Sequence, residues 1–67
     1  MTQRRRERIV EAARLSPALV RRLAAQADVA PATLERYLFS ERPMRPSRRA
    51  RIERMLQALD LRTLRAA

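Results

Sequence analysis

The chain has 67 residues, seven acidic against 16 basic, for a formal charge of +9 at pH 7, and every basic residue is an arginine. So short a chain builds at most one domain with a modest core. Cysteine is absent, which removes disulfides and thiolate metal sites; histidine is absent too, which removes the commonest acid–base residue, so neither an enzyme nor a metal or cofactor protein is expected.

Glycine is also absent, four prolines punctuate the chain, and apolar residues recur at spacings of three and four. The pattern predicts an all-α fold, a compact four-helix domain spanning residues 1–67. The first predicted helix runs from about Gln3 to Leu15, with Ile9, Ala12 and Ala13 on one face, Val10 beside it, and its arginines mostly on the wet side. Ser16-Pro17 is a start signal: the serine hydroxyl caps, and proline fits the first helical position. The second helix, from about Pro17 to Ala27, has the apolar stripe Leu19, Val20, Leu23, Ala24 and Ala27. Ala30-Pro31 opens the third, to about Phe39, with Leu34, Tyr37 and Leu38 facing inward, although Ala30 offers no capping oxygen. Residues 40–46 form a loop whose two prolines hold their predecessors extended. The last helix begins near Pro46 or Ser47 and runs to about Asp60, on a stripe of Ile52, Met55, Leu56 and Leu59. Asp60 either ends it or sits on its wet side, and Leu61 to Arg65 is a further turn or a frayed tail.

The stretch from Leu23 to Leu38 meets the demands of a helix-turn-helix, with the motif spanning about 19–39. Two helices that cross closely need a small residue, and Ala24 supplies it. The turn needs a residue that accepts a left-handed backbone, and Asp28 is one of the few non-glycine types that do. Val29 plugs the turn into the core, and Leu34 and Leu38 anchor the second helix. A surplus of arginine fits a polyanionic partner, because the planar guanidinium donates paired hydrogen bonds to phosphates and base edges.

On these residues the chain resembles the DNA-binding headpiece of lactose-repressor-type regulators and, more loosely, the lambda-repressor-like group. The family pattern is roughly V-A-x-x-A-G-V-S-x-x-T-V-S-R-V-h, and Leu23–Leu38 reads L-A-A-Q-A-D-V-A-P-A-T-L-E-R-Y-L. Ala24, Ala27, Val29, Thr33 and Arg36 match; Asp28 replaces the turn glycine, and Ala30 replaces the capping serine. The likeness continues through the loop and the helix from Arg45 to Leu59, whereas the first helix lies outside the pattern. No hinge or effector-binding domain follows, so ligand-controlled repression and a small-molecule ligand are not expected.

The resemblance implies that Pro31, Ala32 and Thr33, with Arg36 one turn later, face the bases of double-stranded DNA. The physical expectation agrees: these side chains are read as lying opposite Leu34 and Leu38, and Arg36 can take both acceptors of a guanine edge. Arg22 and the cluster Arg45, Ser47, Arg48 and Arg49 are expected at phosphates. Arg4, Arg5, Arg6 and Arg8 read as a basic arm along DNA or as a solvated face. Leu61 and Leu64, one turn apart, read as a homodimer contact or as part of a frayed tail. The expected function is a small transcriptional regulator. Its rivals are a nonspecific nucleoid-type DNA binder and a protein-interaction module such as an antitoxin or anti-activator. RNA binding ranks lower, since Tyr37 and Phe39 are the only aromatics. No apolar run is long enough to span a membrane, and none follows the basic start to make a secretory signal. The expected location is the cytoplasm, at the nucleoid.

Overall fold

Proline is tolerated at the first position of a helix, where its missing N–H leaves no bond unmade. In the computed structural model, which describes residues 3–40 and 42–66, Pro17, Pro31 and Pro46 open α2 (Pro17–Ala27), α3 (Pro31–Phe39) and α4 (Pro46–Ala58). They follow α1 (Gln3–Leu15) and precede a 3₁₀ helix at Leu61–Ala66. No strand occurs among the described residues, so the fold is all-α. Ser16 caps α2 as its position demands, its hydroxyl accepting from the Leu19 N–H at 3.1 Å.

The apolar stripes merge into one core. Ile9 and Ala13 come from α1; Leu19, Val20, Leu23, Ala24 and Ala27 from α2; Leu34, Tyr37 and Leu38 from α3; Ile52, Met55 and Leu56 from α4. Helix α2 packs against each of the other three, which explains why its stripe is the widest. Ile9, Leu19, Leu23, Leu34, Ile52 and Leu56 are the largest side chains wholly removed from water. Each such burial stabilises the fold by about 1.5–3 kcal/mol before chain entropy is charged against it. Val10, Ala12, Val29, Met44 and Leu59 are partly buried around this centre.

Helix α1 is also tied down by two arginines. The last carbonyls of any helix lack partners within it, and a cation placed there meets the negative end of the helix dipole. Arg5 donates to the carbonyls of Leu56 at 2.9 Å, Gln57 at 3.5 Å and Leu59, all at the end of α4. Arg6 donates to the Tyr37 carbonyl at 3.2 Å and to the Tyr37 hydroxyl at 3.4 Å, near the end of α3. Its guanidinium also lies 4.9 Å from the centre of the Tyr37 ring. The expected basic arm is therefore corrected. Arg5 and Arg6 are half-buried structural clamps, and of the four only Arg4 and Arg8 are exposed, one turn apart on a helix.

The C-terminal segment differs from expectation in a second way. Helix α4 stops at Ala58, and Leu59 is extended. Asp60 neither ends α4 nor decorates it; it starts the 3₁₀ helix. Its carbonyl accepts from the Thr63 N–H at 3.0 Å and the Thr63 hydroxyl at 2.7 Å, while its carboxylate accepts from the Arg62 N–H at 2.9 Å. The Arg62 side chain and amide together hold the Asp60 carboxyl below the usual carboxylate range. The sign follows: this small contribution is present above the ordinary aspartate pKa and fades as pH falls through the folded value. Leu61 and Leu64 are half-buried against the core of their own chain, and with Ala12 they line a groove beside α1. They are a packed turn rather than a frayed tail.

Candidate nucleic-acid interface

The turn between α2 and α3 decides whether the two helices can present a surface. Asp28 has φ 57° and ψ 48°, and it is the one non-glycine residue with positive φ among those described. Around it, the Val29 N–H reaches the Ala24 carbonyl at 3.0 Å and the Asp28 N–H reaches the Ala25 carbonyl at 3.2 Å. This pair of bonds is the Schellman closure of a helix, normally built on glycine. Val29, next in the chain, packs against the core as the expected plug. Arg51 of α4 adds an ion pair to Asp28 at 3.4 Å, but the Asp28 side chain is 92% exposed, so the pair is worth little.

A left-handed backbone costs a residue with a Cβ about 1–2 kcal/mol, and aspartate is at the low end. Asp28→Gly should therefore raise stability by about 0.5–1 kcal/mol, and Asp28→Val should lower it by about 1–2 kcal/mol. Urea melts followed by circular dichroism measure both. A glycine variant less stable than the parent would mean that the Arg51 pair outweighs the backbone strain.

Helix α3 buries Leu34, Tyr37 and Leu38 and exposes Ala32, Glu35, Arg36 and Phe39. Positions 32, 36 and 39 are four and three apart, so they form one outward stripe. Pro31 is exposed at the helix start. Thr33 departs from expectation. It lies one turn before Tyr37 and is half-buried on the flank of the helix rather than opposite Leu34. Arg36 is exposed and makes no side-chain hydrogen bond or ion pair among the described residues. No side chain caps the α3 N-terminus, since the Ala30 methyl cannot accept a hydrogen bond, and its partial positive charge is left available.

The α4 N-terminus repeats this arrangement with more charge. Arg45 is the residue before Pro46 and offers no side-chain cap. Arg45, Ser47, Arg48 and Arg49 are all exposed within the first turn. Cations at the positive end of a helix repel its dipole, so this cluster gains nothing from the helix it begins. Arg49 pairs with Glu53 at 3.5 Å, both side chains substantially exposed, and such a pair exchanges readily. Arg22 is exposed on α2 and lines a groove between α2 and α4 together with Arg51 and Arg54.

Comparison with protein-family models, with curated proteins and with solved structures finds no match to this chain. The site therefore rests on its own geometry. Two features lay beyond sequence reasoning. The Arg51–Asp28 pair joins residues 23 apart in sequence, and only the packing of α4 against α2 brings them together. Phe39, at the end of α3, is 43% exposed and lies under the Arg14 guanidinium of α1 at 6.0 Å. Among the described residues, no group of three or more His, Cys, Asp or Glu side chains is placed to hold a metal ion, and no helix is long and apolar enough to cross a membrane.

Proposed function

We propose that this protein binds double-stranded DNA without catalysis, with α3 in the major groove, and acts at the nucleoid as a small transcriptional regulator. The observation that carries the reading is the turn. A left-handed Asp28 closes α2 and releases α3 with its N-terminus uncapped and Ala32 and Arg36 facing outward. That is how a helix-turn-helix presents a reading helix. In this reading Arg36 donates to a guanine edge, Ala32 packs on a thymine methyl, and Thr33 touches only the groove wall. Pro31 and the α3 N-terminus lie at a phosphate. Arg45, Ser47, Arg48 and Arg49 grip the backbone from the start of α4, and Arg22 contributes from the flank.

The test begins with selection of bound sequences from random duplex DNA. The selected site and a scrambled duplex are then titrated with the parent protein and two variants. Arg36→Ala should cost about 1–3 kcal/mol on the selected site and relax one base position. Arg49→Ala should weaken both duplexes alike and flatten the salt dependence by about one unit. Equal loss on both duplexes for Arg36→Ala would make Arg36 a backbone contact. Selection that yields no preferred site would favour the nonspecific nucleoid-type binder, and absence of any duplex binding would leave the protein-interaction reading.

A further inference from the structure

We infer that α1 supplies a further anion contact to the α3 surface: Arg14, held over the ring of Phe39, is a preset ligand for the phosphodiester backbone of the bound duplex. The inference rests on the DNA-binding reading and extends it to a helix outside the helix-turn-helix.

Three observations carry it. Among the described residues Phe39 is one of two large apolar side chains left exposed, and it continues the outward stripe of Ala32 and Arg36 by one turn. A phenylalanine on that stripe lies outside the core cluster, yet it is not simply bare. The Arg14 guanidinium lies 6.0 Å from its ring centre, within reach of a cation–π attraction. Arg14 itself is exposed in the last turn of α1, and its side chain makes no hydrogen bond or ion pair among the described residues. It contrasts with Arg5 and Arg6, whose donors are spent on carbonyls.

A guanidinium resting on a ring keeps its donors in its own plane, so the contact holds the cation without using its N–H groups. Those donors match two oxygens of a phosphate. Holding the side chain in advance reduces the ordering cost on binding. Phe39 thus acts as a positioning residue for Arg14. A protein partner for the same patch is the competing outcome, but an arginine with unspent donors over Phe39 fits a phosphate better than an apolar surface.

The experiment is a double-mutant cycle on duplex affinity. Parent, Arg14→Ala, Phe39→Ala and the double variant are titrated against the selected duplex at several salt concentrations, each checked for parental helicity. Arg14→Ala should weaken binding about tenfold and flatten the salt slope by about one unit. Phe39→Ala should weaken it less, about threefold, with the slope nearly unchanged. In the Arg14→Ala background, Phe39→Ala should have no further effect, because its role runs through the arginine. Parental affinity for Arg14→Ala would overturn the inference, and so would additive losses in the double variant. If that variant binds normally while Arg49→Ala is impaired, the DNA-binding reading survives and this extension alone fails. A parent protein that binds no duplex defeats both.

Discussion

Leu34→Ala should leave the domain largely unfolded at room temperature. Leu34 is wholly buried at the centre of α3, in contact with a core to which four helices contribute. Truncating such a leucine costs about 2–5 kcal/mol, the lost transfer energy plus the cavity left behind. A core this small supplies about 3–5 kcal/mol of net stability, so the substitution consumes most or all of it. Circular dichroism at 222 nm during a thermal scan measures the effect, with Arg36→Ala as the comparison. Arg36 is exposed and outside the core, so its variant should melt like the parent. An unchanged melt for Leu34→Ala would mean that α3 is rotated from the orientation described, and its outward stripe would have to be reassigned.

Affinity for duplex DNA should fall several-hundred-fold as salt is raised from 50 to 200 mM. The estimate takes about five neutralised phosphates, which gives a slope of log affinity against log salt near −4 to −5. The contributors are the exposed cations at the start of α4 and on α2, together with Arg14 of α1 and the α3 N-terminus; Arg5 and Arg6 are excluded because their donors are bound to carbonyls. Fluorescence anisotropy with a labelled duplex across a salt series reads the slope directly. A flat dependence would remove the electrostatic basis for the interface. A slope much steeper than −5 would draw further arginines, such as Arg4 and Arg8, into contact.

The helices were legible in the sequence because local chemistry dictates them. Ser16 and three prolines mark their starts, and the apolar spacing identifies which faces turn inward. The left-handed turn was legible as well, since the motif requires one and Asp28 tolerates it. Two kinds of feature were hidden. One is the use of arginine side chains on distant carbonyls: nothing around Arg5 signals a partner 51 residues away, and an arginine in a basic run looks like surface. The other is the fine orientation of α3. Thr33 and Phe39 sit at the edges of the helical stripe, where a shift of a few tens of degrees changes a side chain from exposed to half-buried, and tertiary packing sets that angle. The segment after Asp60 was ambiguous for a simpler reason. A run this short has no period of its own, and its leucines order only because α1 provides a surface for them.

The Arg5 clamp has a consequence for chain topology. It fastens the third residue of α1 to the carbonyls that close α4, so the polypeptide returns nearly to its starting point. Connectivity and architecture are therefore separable in this fold. A linker long enough to join the segment after α4 to the start of α1 would let the chain be opened between α3 and α4 instead. The resulting circular permutant would begin with α4 and end with α3, while keeping the α2–α3 turn intact within one uninterrupted stretch.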